Sequence, residues 1–345
     1  MHLLVIGGSG EFIGARVVDA LVAEGHEVAV FSRVPPRRGD VRHIAGDRRR
    51  LGDHTAPLRA AAPDIVIDAI LSSVPQVLQL QDVFRGVAKR IVALSSQDVY
   101  RACGVLHRLE PGDLEPLPLT ESSPLRTKLQ TYPPAQIAKL QQIFGWLDEE
   151  YDKIPVERAV LSDERLPGTV LRLPMVYGPG DKLHRFFPIV KRISDRRPAI
   201  ILTEQFAAWR GTKGYVDEAA AAIAAAAASE RAAGRVYNIG EPDTLSELEW
   251  ARMMAGAMGW RGEFVIVPND RAPMHLQTPA NFAQHWVADT TRVRSELGYR
   301  ERIGREERVR RTIDWELANP STQVDPAQFN YAAEDDALAA RRTSG

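Results

Sequence analysis

Gly7-Gly8-Ser9-Gly10-Glu11-Phe12-Ile13-Gly14 stands between an apolar run, residues 2–7, and a helical stripe carrying Val17, Val18, Leu21 and Val22. The run reads as a buried parallel strand, because it is short, continuous and apolar. The stripe reads as an amphipathic helix that Gly25 ends. A glycine-rich turn joining a strand to a helix inside a βαβ unit is a phosphate cradle. Glycine lets the backbone turn tightly and approach an anion without a Cβ in the way. The helix starting near Phe12 offers free N–H groups and a positive dipole end. The stretch therefore implies a site for the pyrophosphate of a dinucleotide.

The pattern continues outward as strand, helix, strand. Strands are expected at Glu27 to Phe31, Val41 to Ile44, Asp64 to Ile70, Arg90 to Leu94 and Gly168 to Leu173, with helical stretches between them. Such alternation means parallel pairing, so the fold class expected is α/β, a Rossmann-type doubly wound sheet. Beyond residue 173 short helices and strands mix, as in a smaller C-terminal α/β lobe. The reading divides the chain into a dinucleotide-binding domain at 1–173, a substrate lobe at 174–318 interleaved with the sheet, and an extended polar tail at 319–345. Residues 104–134 carry six prolines and no clean period, which predicts a long surface loop. Residues 135–161 read as helical, interrupted near Pro155. Ser246 and Glu249 form a capping-box pattern ahead of a helix.

Composition removes several function classes. The 345 residues carry 44 basic and 45 acidic side chains, net charge −1, so nothing marks a nucleic-acid or anionic-membrane partner. The run Arg48-Arg49-Arg50 is short and reads as a solvated helix start. One cysteine, Cys103, precludes a disulfide within the chain and fits a reducing, cytoplasmic compartment. No apolar run reaches 18 residues, which predicts no transmembrane helix. The eight histidines are scattered without ligand spacing, so no metal is expected.

Gly7 to Gly14 resembles the fingerprint of the extended short-chain dehydrogenases, the NAD-dependent epimerase/dehydratase family. Gly7 and Gly10 fit its usual spacing and Gly14 comes one residue late; alternatively Gly8, Glu11 and Gly14 fit, with Glu11 where glycine is usual. The second strand ends Phe31-Ser32-Arg33, where NAD-preferring members place an acidic residue for the ribose hydroxyls. A hydroxyl and a guanidinium suit a 2′-phosphate instead, so NADP is preferred, with NAD the alternative. The resemblance implies further cofactor contacts from Ser9, Phe12, Ile13, Asp47, Arg48, Ala69, Ile70, Leu94, Pro174 and Val176.

The segment Ser95-Ser96-Gln97-Asp98-Val99-Tyr100 resembles the family's Ser-Ser-x-x-Val-Tyr, which makes Ser96 the catalytic hydroxyl and puts Gln97 beside the substrate. The family's acid/base is a tyrosine with a lysine four residues later, one helical turn along the same face, where it stabilises phenolate. No tyrosine here has lysine at i+4. Tyr151, in Tyr151-Asp152-Lys153-Ile154-Pro155, is the best candidate. Lys153 at i+2 lies roughly 200° around a regular helix and shares the site only if the helix is broken.

Arg172 to Gly180 resembles the family's Arg-x-x-x-Val-Tyr-Gly-Pro segment, and Tyr215-Val216-Asp217 its His-Val-Asp. By that match Tyr177, His184 and Arg210 face substrate, with Lys213 near a substrate diphosphate. The expectation is a nicotinamide-dependent epimerase, dehydratase or reductase acting on a carbonyl or secondary alcohol of a small molecule such as a sugar nucleotide. Relatives often form homodimers through the tyrosine-bearing helix. The absent i+4 lysine keeps a second reading open, a non-catalytic NADP-binding sensor or scaffold.

Overall fold

The computed structural model describes residues 1–321 and 324–343. The first half alternates as the sequence predicts: β1 (His2–Ile6), α1 (Ile13–Ala23), β2 (Glu27–Ser32), β3 (Arg42–Ala45), α2 (Thr55–Ala60), β4 (Ile65–Asp68), α3 (Val74–Phe84), β5 (Arg90–Ser96), α4 (Arg101–Leu106), α5 (Pro134–Ile143), α6 (Lys153–Leu161) and β6 (Gly168–Leu173). Then follow β7 (Met175–Tyr177), α7 (Phe187–Ser194), β8 (Ala199–Thr203), α8 (Glu204–Ala208), β9 (Lys213–Tyr215), α9 (Val216–Ala228), β10 (Val236–Asn238), α10 (Glu247–Ala257), β11 (Glu263–Val267), α11 (Thr291–Leu297), α12 (Arg305–Ala318) and α13 (Tyr331–Thr343).

Seven strands form one parallel sheet in the order β10-β6-β5-β4-β1-β2-β3. The order reverses between β1 and β4. Ile6 pairs in register with Phe31 on one side and Asp68 on the other, so the carboxyl ends of these strands lie on one edge. A crevice outside a reversal of this kind is where doubly wound sheets hold ligands. The lobe adds two parallel pairs, β8 with β11 and β7 with β9.

The inner strands β1, β4, β5 and β6 are buried on both faces, which is why they read as continuous apolar runs. The alanine-rich α9 lies against α1, and its small side chains let the two backbones approach. Its C-terminal turn is closed from beneath: buried Arg90 donates to the carbonyls of Ala226 (3.0 Å) and Ala227 (2.7 Å). The capping box at Ser246 and Glu249 is present.

Three expectations need correction. The 135–161 helix is two helices, α5 and α6, with residues 144–152 between them. The break lies ahead of Pro155, not at it. Asp152 caps α6 by accepting from the Ile154 N–H at 2.9 Å, and Pro155 sits in the first turn, where its missing N–H removes no helical bond. The 104–134 segment begins as α4, and its remainder is tied down rather than free. Buried Glu110 accepts from the Thr127 and Lys128 N–H groups at 2.6 and 3.0 Å, and Leu119 bridges to Ala288.

The third correction concerns 319–345, which is no extended tail; residues 322, 323, 344 and 345 lie outside the described residues. Helix α13 docks on the lobe through fully buried Glu334, which receives Arg192 at 2.6 Å and contacts His275 at 3.1 Å. Ala337 and Leu338 pack against Ile201 and Val265. Counting polar residues hid a helix whose buried face includes one carboxylate. Glu334→Ala strands the Arg192 guanidinium without its partner and is expected to destabilise the lobe by about 3 kcal/mol, read by urea unfolding.

Candidate functional site

The glycine turn lies at the carboxyl end of β1. Gly7 adopts φ +85°, which a side chain would strain. A Cβ on Gly14 would stand 2.2 Å from the Gly7 carbonyl oxygen, so α1 and the turn meet backbone to backbone. Phe12, at the N-cap of α1, provides no side-chain acceptor for the first-turn N–H groups. Those donors are left for an anion. The loop after β7 closes over the turn from the other side: a Cβ on Gly180 would lie 2.5 Å from the Glu11 carbonyl oxygen.

Around the end of β2, the Ser9 and Ser32 hydroxyls hydrogen-bond each other, and Ser32 also donates to the Val34 carbonyl at 2.8 Å. Exposed Arg33 stands beside them. Arg37 pairs with Glu11, and Arg38 with Asp40 at 2.6 Å. Asp47 is held down to about 2, chiefly by hydrogen bonds from Arg49, with Arg33 adding positive charge. Ala69 and Ile70 follow β4, and the Ile70 side chain lies against Gly7. Of the cations here, Arg37, Arg38 and Arg49 are paired with carboxylates, while Arg33 is exposed.

Arg48 is different. Expected in a solvated helix start, it lies inside the protein, 3% exposed, donating to Asp68 at 2.6 Å and to the Gln76 carbonyl at 2.8 Å. It holds the end of β4 in place and is no free cation for a cofactor. Val176 likewise belongs to the main core.

Beyond the ends of β4 and β5 the broken helix brings Lys153 to Tyr151. Because α6 starts at Lys153, its side chain turns inward, and its buried ammonium donates to the carbonyls of Leu71 and Leu94, the latter at 2.9 Å. It lies 5.7 Å from the centre of the Tyr151 ring. Half-buried Ser96 accepts from the Asp98 N–H at 3.2 Å, while its neighbour Ser95 points away to Glu157. Burial lowers Lys153 to about 8 and raises the Tyr151 phenol. A lysine depressed in the fold favours the native state more as pH rises from about 8 towards its ordinary 10.5, since the unfolded chain then holds more protons. The stability of wild type minus that of Lys153→Met is expected to increase over that interval, read by urea unfolding at stepped pH.

Three side chains at this point escaped the sequence reading. Tyr132 donates to Asp98 Oδ2 at 2.9 Å and meets Tyr151 edge to face, ring centres 5.6 Å apart. Arg126 donates to the Asp98 carbonyl at 2.6 Å. Asp98 lies within the strand-end segment Ser95 to Tyr100. Tyr132 has no lysine at i+4 and so carries no motif signal.

The substrate candidates are not gathered here. Tyr177 is fully buried, stacks on Phe186 and donates to Glu241 at 2.7 Å; Gln97 is 1% exposed and donates to the Ile239 carbonyl at 2.8 Å. Both are structural: the Tyr-Gly-Pro and strand-end patterns fix backbone position, and these side chains face inward. His184 turns to α12, contacting Glu316 at 2.7 Å and stacking on Trp315. Lys213 pairs with Glu247 over Trp250. Half-exposed Arg210 lines a cavity of about 490 Å³ with His285 and Arg294, and Ser96, Tyr151 and Lys153 are not among its walls.

Among the described residues no group of three or more His, Cys, Asp or Glu side chains is placed to hold a metal, and no helix is long and apolar enough to cross a membrane.

No curated protein matches the chain. Among solved structures it is similar to UDP-glucose-4-epimerase from Stenotrophomonas maltophila with bound NAD and formylated UDP-arabinopyranose, at 18% identity and TM-score 0.66, over 92% of this chain and 98% of that one. The dTDP-glucose 4,6-dehydratase from Bacillus anthracis in complex with NAD matches at 16% identity and TM-score 0.66, over 92% and 97%. UDP-glucose 4-epimerase from Thermotoga maritima with UDP-glucose matches at 18% and 0.64, over 93% and 100%. The likeness is one of fold. The model of the NAD dependent epimerase/dehydratase family matches residues 3–240, from the first strand to the end of the seven-strand sheet. The chain belongs to that family.

Proposed function

We propose that the protein is a nicotinamide-dinucleotide enzyme acting on a carbonyl or secondary alcohol of a small molecule, a sugar nucleotide being the class its structural neighbours bind. The observation that supports this reading is the buried Lys153 ammonium, held on the carbonyls of Leu71 and Leu94 with the Tyr151 ring beside it, while Ser96 ends the same strand β5. The dinucleotide supplies hydride chemistry when bound, on the N–H groups of α1 and the turn. Ser96 orients the substrate oxygen. Lys153 places positive charge beneath the Tyr151 ring, which the helix break achieves from i+2.

NADP is the preferred form. Ser32 and Arg33 end β2 where a carboxylate would repel a 2′-phosphate, and Asp47 is already paired with Arg49. Fluorescence titration tests this. NADPH should bind at least tenfold tighter than NADH, and Arg33→Ala should remove most of that ratio while leaving NADH binding unchanged. Equal affinities in the wild type overturn the preference. Clean NADPH binding with no hydride transfer across a broad carbonyl panel favours the sensor reading instead.

A further inference from the structure

Asp98 and Tyr132 form a pair that the family chemistry of serine, tyrosine and lysine does not use. Asp98 is 7% exposed, and among the described residues its Oδ1 is buried with no hydrogen-bond partner. Its Oδ2 receives the Tyr132 hydroxyl. The nearby Arg126 is committed elsewhere: Nε to the Asp98 main-chain carbonyl, Nη1 to the Lys128 carbonyl at 2.7 Å, and Nη2 3.8 Å from Asp152. A buried carboxylate with one oxygen unpaired is the expensive form of this group, and the neutral acid the cheaper one. Tyr132 is half-buried, and its ring meets Tyr151 edge to face, so the Asp98–Tyr132 pair adjoins the candidate acid through ring contact.

We propose that Asp98 is held as a neutral carboxylic acid and that Tyr132 passes its proton to the substrate oxygen, so that the site is built for carbonyl reduction. This rests on the nicotinamide reading above. In the step, the carbonyl carbon accepts hydride from the reduced dinucleotide, and the carbon–oxygen π pair moves to oxygen. The Tyr132 O–H bond breaks as its proton goes to that oxygen. The Asp98 proton moves to the Tyr132 oxygen along the same contact, donated in the opposite sense. Asp98 is left as carboxylate and regains a proton from solvent before the next turnover. No free phenolate accumulates, so the reaction does not depend on a lysine at i+4. Asp98 contacts no reacting atom and is a positioning and proton-supplying residue.

The groups around Asp98 set the pH response. Arg126, Lys153 and the Tyr132 hydroxyl favour its carboxylate; burial and Asp152 oppose it, with burial the largest influence, and the net direction is upward. Tyr151, ahead of α6, Cys103 in α4 and His107 at its C-cap also stand in its field. Reduction therefore falls as pH rises through the raised Asp98 value.

Infrared difference spectroscopy on the full chain tests this without any substrate. At neutral pH the wild type should show the carbonyl stretch of a protonated acid that is absent from Asp98→Asn and displaced in Tyr132→Phe. Absence of that band in the folded wild type overturns the proposal. If Asp98→Asn does not fold, the band's disappearance on raising the pH of the wild type, and its displacement in Tyr132→Phe, carry the same decision. With NADPH and 9,10-phenanthrenequinone as probe, Tyr132→Phe should lower kcat by about 100-fold with KM little changed and remove the falling limb of the pH profile. Unchanged kcat in Tyr132→Phe overturns the relay. Failure of the wild type itself to oxidise NADPH on the quinone counts against the nicotinamide reading alone, and the infrared band then decides the state of Asp98.

Discussion

Glu157→Ala should be the most destabilising single change in the Rossmann half. Glu157 is 3% exposed on α6 and receives Arg172 of β6 through two nitrogens, Nη2 at 2.7 Å and Nε at 3.0 Å, together with the Ser95 hydroxyl. Arg172 also donates to the Tyr100 hydroxyl, which in turn donates to Asn238, so one network ties α6, β5, β6 and β10. Deleting the carboxylate leaves a guanidinium, 4% exposed, whose Nε and Nη2 have lost their partners. Removing one member of a buried ion pair costs about 3–5 kcal/mol. For a chain of this length that corresponds to a fall in Tm of about 4–7 °C, using the average unfolding entropy per residue. Urea unfolding followed by circular dichroism measures it, and a loss under about 1 kcal/mol would mean that water reaches Arg172. Because α6 carries Lys153, the same variant should blunt any turnover beyond what its stability explains.

The second large effect falls on ligand affinity. Gly14→Ala puts a Cβ 2.2 Å from the Gly7 carbonyl oxygen, and backbone lies on both sides of the contact, so the turn must move. The first-turn N–H groups of α1 move with it, and their aim at the pyrophosphate is lost. NADPH affinity is expected to fall at least 100-fold, about 2.7 kcal/mol, by fluorescence titration. Retention of wild-type affinity in a folded Gly14→Ala protein would show that the pyrophosphate does not sit on this turn.

The sheet was legible because buried parallel strands are short apolar runs with helices between them, and each run from Leu3 to Leu173 supplied its strand. The capping box at Ser246 was legible for the same local reason. What escaped was whatever depended on partners far along the chain. Arg48 looks solvated beside Arg49 and Arg50 until Asp68 is brought to it. Helical periodicity across 135–161 conceals a break that only the Asp152 cap and the inward Lys153 side chain reveal. The pairing of Tyr132 with Asp98 spans 34 residues through a proline-rich loop without periodicity, and no spacing rule reaches across it. Motif matches fixed where Tyr177 and Gln97 lie in the chain, but not that their side chains face inward.

The Arg192–Glu334 pair has a consequence for biosynthesis. Its two members are separated by 142 residues. A chain made at 5–20 residues per second takes roughly 7–28 s to cover that distance. Through that interval the nascent lobe carries a cation whose burial is uncompensated, although the sheet and the β8–β11 pair have all their strands by residue 267. The Rossmann half is thus free to mature first, and the lobe is sealed last, when α13 arrives. Fusion partners attached directly behind α13 should delay that closure and lengthen the time for which the lobe is open to proteases.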